Sequence, residues 1–213
     1  MSRVSIAVLA SGRGTNFEAL VHAARRPDLN GEVRLLVVNI ADAPVLRHAE
    51  AEHVPAAIIP HRRFKTRAEF EQALIAELYH HNINLVCLAG FMRILSPVFV
   101  NAFENHIMNI HPSLLPMFAG LQGMQVHEAV LAAGVKVTGC TVHFVSTDVD
   151  AGPIIVQRAI PVRDADTAES LALRVLVEEH QAYAEAVKLF CTGRLHIEGK
   201  RVRIANVGGS PGA

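Results

Sequence analysis

Apolar residues along the first half of the chain follow two alternating rhythms. Val4–Leu9 is a short, nearly unbroken run rich in branched residues, as a strand buried on both faces requires. Phe17, Leu20, Val21 and Ala24 then recur at helical spacing, and Pro27 closes that helix. Val33–Val38 reads as a second buried strand. A short helix around Val45–Glu52 leads to a third strand at Ala56–Ile59. Arg67–His80 is amphipathic, with Phe70, Leu74 and Leu78 on one side. Leu85–Ala89 and Ile107–Ile110 supply the fourth and fifth strands. This alternation predicts right-handed crossovers and an α/β, Rossmann-like fold whose mostly parallel sheet is flanked by helices.

The second half changes rhythm. Gln125–Ala133 predicts a short helix ended by Gly134. Val137–Val145 and Ile154–Val162 read as two strands joined by a turn, forming an antiparallel ribbon on the sheet edge. Asp166 and Glu169 have capping-box spacing and open a long helix running to about Leu189. Leu195–Ile197 and Val202–Ile204 predict a terminal hairpin, and residues 205–213 a flexible tail. With no repeat or linker, residues 1–213 are expected to form one domain. Residues 1–100 would be its nucleotide- or phosphate-binding half and 101–204 its catalytic half.

Composition narrows the function. Lys plus Arg equals Asp plus Glu, at 20 each, so no net field attracts nucleic acid or an acidic membrane. No apolar run reaches the length of a bilayer span, and the start of the chain lacks a cleavage site, so it reads as a strand rather than a leader. The three cysteines, Cys87, Cys140 and Cys191, are far apart, which indicates neither a disulfide framework nor a zinc site. The expectation is a cytoplasmic protein acting on small molecules, without nucleic acid, membrane or metal, as a monomer or homodimer.

The densest chemistry lies in His106–Pro116. Side chains alternate along a strand, so Asn109 and His111 share one face while Met108 and Ile110 share the other. Pro112 stops the strand there. A carboxamide and an imidazole thus stand at the carboxyl end of a strand, where open α/β sheets bind ligands. They suit a reaction that builds charge on an oxygen. Ser11–Asn16, between strand and helix, has glycines that let an anion approach main-chain amides. It suits a monophosphate. A dinucleotide is disfavoured, because the third fingerprint glycine falls at Phe17 and the second strand runs into Asn39. That weighs against a nicotinamide oxidoreductase. Asp148–Pro153 is a turn from which Asp150 could reach His111 and stabilise its charged form. Glu179 falls on the apolar stripe of the long helix, where a carboxylate needs a partner. Ala89–Leu95 sets apolar side chains beside Arg93, as a flat heteroaromatic ring requires.

Three segments carry a resemblance: Asn109–Pro116, Gly139–Val145 and Asp150–Ile154. In them the chain resembles the formyltetrahydrofolate-dependent formyltransferases, and the likeness extends from Ser11 to about Ile204. The short length and the Ser11–Asn16 loop favour the members that formylate glycinamide ribonucleotide (phosphoribosylglycinamide) in purine synthesis. Members with an added carboxyl-terminal domain, or an added amino-terminal regulatory one, are disfavoured, because 213 residues are expected to leave no room for either extension. The resemblance implies formyl transfer from the co-substrate 10-formyltetrahydrofolate. It places Gly14, Thr15 and Asn16 on the acceptor phosphate, and Leu176, Val177, Glu178 and Glu179 on the acceptor. It places Arg67, Met92, Arg93, Ile94, Leu95, Asn109, Ser146, Thr147, Asp148, Val149 and Asp150 on the folate. Asn109, His111 and Asp150 would be catalytic, with His111 the proton donor and Asp150 raising its pKa. Met117 is a mild departure, since a polar or basic residue is common there. A non-catalytic folate- or nucleotide-binding module would not need Asn109, His111 and Asp150 together.

Overall fold

A computed structural model describes residues 3–206; the predicted tail from Val207 lies outside them. The strands are β1 (Val4–Ala10), β2 (Gly31–Val38), β3 (Ala56–Ile58), β4 (Leu85–Leu88), β5 (Ile107–His111), β6 (Val137–Phe144), β7 (Ile154–Pro161), β8 (Leu195–Glu198) and β9 (Arg201–Ile204). The helices are α1 (Thr15–Ala24), α2 (Val45–Ala51), α3 (Arg67–His80), α4 (Pro97–Ala102), α5 (Met124–Ala132) and α6 (Ala168–Cys191). Among the described residues the strands form one sheet in the order β3-β2-β1-β4-β5-β6-β7-β9-β8. Neighbours from β3 through β5 are parallel, and β6 joins β5 antiparallel.

Both faces of the sheet are covered, which explains the continuous apolar runs. Ile6, Val8 and Ala10 of β1 pack on one side, in the cluster that includes Tyr183 and Val187 of α6. Ala7 and Leu9 point to the other side, towards Phe70, Leu74 and Leu78 of α3. Strand order reverses direction between β1 and β4, which are neighbours within the parallel part of the sheet. The loops leaving these two strands therefore part at a crevice, the usual ligand position in such sheets.

Several details differ from the sequence expectation. The β6–β7 ribbon forms in the predicted register region, but the terminal hairpin β8–β9 extends the sheet beyond it, so β8 is the edge. The helix cap is Thr167, whose hydroxyl accepts from the Ser170 amide while the Ser170 side chain answers reciprocally. Asp166, predicted to cap, instead pairs with Arg174 at 2.5 Å. The short helix α4 and a 3-10 turn at His61–Arg63 had no periodic signal, being too brief to show a period.

Candidate active site

A cleft of about 600 Å³ opens at the switch point. One arm is the loop after β1. Gly14 sits at φ 85° and turns the chain into α1, whose start has no side-chain cap. A Cβ at Gly14 would fall 2.2 Å from Val45 Cγ2, so glycine is required both for the left-handed backbone and for the contact with α2. The leading amides of a helix lack internal partners, and here Gly14, Thr15 and Asn16 line the cleft. Asn16 Nδ2 donates to Glu179 Oε2 at 2.7 Å. Glu179 is buried on α6, and burial raises its carboxyl pKa, opposed by the Asn16 bond and by Arg13. Leu176 and Glu179 both face the cleft, one turn apart. The two residues between them rotate away. Val177 is exposed, and Glu178 lies 3.5 Å from Arg158.

The second arm is the loop after β4 together with the β6–β7 turn. Met92, Arg93, Ile94 and Leu95 line it, as do Ser146, Thr147, Asp148, Val149 and Asp150. Arg67 does not line the cleft; its Nε donates to Glu71 Oε1 at 2.9 Å, and buried Glu71 also accepts from the Ser96 amide at 2.8 Å. The i, i+4 spacing on α3 directs Arg67 to that carboxylate.

The arms meet at the end of β5. Asn109 and His111 both line the cleft, and β5 stops before Pro112 as expected. Antiparallel pairing sets His143 of β6 directly opposite Asn109. Asn109 Nδ2 lies 3.3 Å from His143 Nε2, and His143 Nδ1 is 2.9 Å from the carbonyl of Phe144. Donation from Nδ1 to that carbonyl leaves Nε2 free to accept from the carboxamide, which fixes how Asn109 is turned. Asp150 sits at φ 52° and folds its carboxylate over both imidazoles, 3.5 Å from His111 Nδ1 and 3.7 Å from His143 Nε2. The Gly120 amide donates to Asp150 Oδ2 at 2.8 Å and steadies it. His111 is 4 % exposed, and its Nε2 has no hydrogen-bond partner within the protein.

At His111, charge and burial act in opposite directions. Asp150 does favour the charged form of His111, and so does main-chain bonding near Phe118. Burial outweighs both, and the His111 pKa lies below its ordinary value. His143 and His127 are also lowered, again chiefly by burial, with His111 adding to the effect on each. At neutral pH these directions favour the neutral imidazoles beside Asp150.

His143 and His127 both line the cleft, and sequence reading assigned neither a role. The usable signal for His143 was its place on a strand antiparallel to β5, but register across strands is not visible in one segment. Among the described residues, one group could hold a metal by geometry: Glu18, His22 and Glu52. None of these lines the cleft, and Glu52 is already paired with His22 at 2.9 Å and Arg25 at 2.6 Å.

These features define a Rossmann-like protein with a two-armed cleft at its switch point and an acid–base cluster where the arms join. The chain belongs to the formyl transferase family, whose model matches residues 4–187. It is 47% identical to the trifunctional purine biosynthetic protein adenosine-3 of Gallus gallus, over 92% of this chain and 19% of that protein. The chain thus spans about a fifth of the length of that relative. It is 40% identical to phosphoribosylglycinamide formyltransferase of Bacillus subtilis, over 85% of this chain and 92% of that one. The crystal structure of glycinamide ribonucleotide transformylase 1 from Symbiobacterium toebii superposes with a TM-score of 0.93 at 45% identity, covering 96% of this chain and 95% of that one. No helix of the described residues is long and apolar enough to cross a membrane.

Proposed function

We propose that this chain transfers a formyl group from 10-formyltetrahydrofolate to the amine of phosphoribosylglycinamide, as a cytoplasmic enzyme of purine synthesis. The observation that carries the reading is the meeting of Asn109, His111, His143 and Asp150 between the two arms. The phosphate of the acceptor rests on the amides of Gly14, Thr15 and Asn16, and Glu179 receives its polar groups. The folate ring enters the other arm, with its edge against the loop from Met92 to Leu95 and the turn from Ser146 to Asp150. Arg67 is half-exposed beside Glu71 and serves the folate only at the outer rim. Val177 and Glu178 support the acceptor site through α6 rather than by contact.

The amine attacks the formyl carbon and the formyl oxygen becomes an oxyanion. The Asn109 amide donates to that oxygen. Neutral His111 takes up the proton released by the attacking nitrogen, and Asp150 stabilises the imidazolium so formed. The imidazolium returns that proton to N10 of the folate as the carbon–N10 bond breaks. The products are the formylated amide and tetrahydrofolate, with one proton carried from acceptor to folate. No metal takes part.

Mixing the protein with 10-formyltetrahydrofolate and phosphoribosylglycinamide, and following the folate absorbance, tests the reading. Acceptor-dependent release of tetrahydrofolate is expected. Release with water alone and formate as product would identify a hydrolase, and release only with another amine would identify a different formyl acceptor.

A further inference from the structure

Ser11 is buried at the base of the phosphate-side loop, and its main-chain N–H and its hydroxyl are both committed. Its main-chain N–H donates to the Gly90 carbonyl at 3.1 Å. Its hydroxyl donates to Asn39 Oδ1 at 2.6 Å and accepts the Met92 main-chain N–H at 2.9 Å. Ser11 is thus bonded to both ends of the Gly90–Met92 turn, which opens the loop at the other arm of the cleft. Gly90 is in the left-handed region at φ 69°, and Phe91 between them is buried. Asn39, at the end of β2, is 2 % exposed and is itself held: His61 Nδ1 lies 3.0 Å from its carbonyl and 3.3 Å from its Nδ2. The hydroxyl rotor has no freedom left, with one proton given and one lone pair used.

We infer that Ser11, fixed by Asn39, is a positioning residue that couples the two arms of the cleft. Ligand on the loop from Gly12 to Asn16 then stiffens the loop from Gly90 to Leu95, so that each substrate tightens the other. This inference rests on the assignment of acceptor to the first loop and folate to the second. The physical reason is continuity. An anion held by the amides that follow Ser11 restrains the backbone at Ser11. Through its hydroxyl Ser11 accepts the main-chain N–H of Met92, in the other arm. The Asn39 bond is buried and the Met92 bond partly so, and a hydrogen bond withdrawn from water is electrostatically stronger. Coupling between sites is reciprocal, so it can be read from either ligand.

The test uses phosphoribosylglycinamide and tetrahydrofolate, a pair that binds without reacting because no formyl group is present. Calorimetry gives the Kd of tetrahydrofolate with and without saturating phosphoribosylglycinamide. For the unaltered protein a tightening of roughly fivefold or more is expected, within the usual range for coupled sites. Ser11→Ala should bring that ratio close to one while retaining binding of each ligand alone. Asn39→Asp keeps an oxygen acceptor for the Ser11 hydroxyl and should keep much of the ratio; Asn39→Leu should lose it. Hydrogen exchange at the Met92 amide should slow when phosphoribosylglycinamide binds the unaltered protein, and should not respond in Ser11→Ala. A merely structural role for Ser11 predicts a lower Tm with the coupling ratio intact, and that result overturns the inference. A ratio of one in the unaltered protein overturns it as well. If Ser11→Ala does not fold, the Asn39→Leu ratio and the Met92 exchange response of the unaltered protein decide. Failure of both ligands to bind the unaltered protein would count against the function proposed above, and so is distinguishable from failure of the coupling.

Discussion

The two ends of the cleft are built from opposite materials. At the end proposed to take the phosphate, Gly14 turns the backbone into α1 and no side chain caps the helix, which leaves its leading main-chain amides without a side-chain partner. At the reacting end the groups are side chains, drawn from β5, from β6 and from the turn before β7. One end is local, since it needs only a strand, a loop and a helix in succession. The other is assembled across segments far apart in sequence, where β5 has a parallel neighbour on one side and antiparallel β6 on the other. Recognition of a fixed charge can be left to local backbone. Proton transfer needs several side chains with tuned environments, and only a junction of strands supplies them.

Changes at the reacting end should therefore strike kcat, and changes at the phosphate end should strike acceptor KM. The largest effect is expected for Asn109→Ala, with kcat lower by roughly 10²–10³, while Tm, read by calorimetry, changes little. A loss confined to Tm would return Asn109 to the role of a strand-end polar group. Asp150→Asn should cost about 10² in kcat, as loss of acid–base assistance does. The His111 pKa, already lowered by burial, should fall further because its charged form loses its partner. The acid limb of the kcat/KM profile should then move to lower pH, and a limb that stays in place would break the link between the two residues.

At the other end, Gly14→Ala meets both the left-handed backbone and Val45, so stability should drop by more than about 1 kcal/mol. Val45→Ala in the same chain opens room and should recover part of it. The acceptor KM of the double variant should stay well above that of Val45→Ala alone, with the folate KM little moved. Equal rises in both would reject the phosphate site. Glu179→Gln keeps the shape and a partner for Asn16. It should raise the acceptor KM about tenfold, as loss of a charge-assisted bond does, without lowering Tm. Because burial raises the Glu179 pKa, its ionised form opposes folding above that value, and removing the charge relieves the opposition.

The smallest effect is on acid stability. His111, His127 and His143 all have folded values below the ordinary one, so the unfolded chain takes up more protons as pH falls below ~6.5. Stability should decline through that window, each group contributing at most about 1.4 kcal/mol per pH unit. Replacing His127 by Gln should make the Tm slope between pH 6.5 and 5 shallower.

Most of the framework was legible from the chain. The apolar runs of β1, β2, β4 and β5 and the stripe of α3 announce themselves, because a buried strand or an amphipathic helix must satisfy its own burial locally. The glycine loop, the pairing of Asn109 with His111 on one strand face and the buried carboxylate at Glu179 follow from the same short-range periodicities. What escaped were facts that belong to two segments at once. His143 orients Asn109 only because β6 runs antiparallel to β5 in one register, and a shift of one residue would point it to the other face. Arg67 is drawn to Glu71 rather than the cleft, and Glu71 in turn holds the Ser96 amide, next in sequence to cleft-lining Leu95. Asp150 stands beside His111 as expected, yet the charge state of His111 is decided by how deeply the assembled sheet buries it. The sequence by itself determined the elements and the chemical groups, because periodicity and backbone preference act over a few residues. The tertiary structure alone decided register, neighbours and desolvation, because those energies depend on groups brought together from distant parts of the chain.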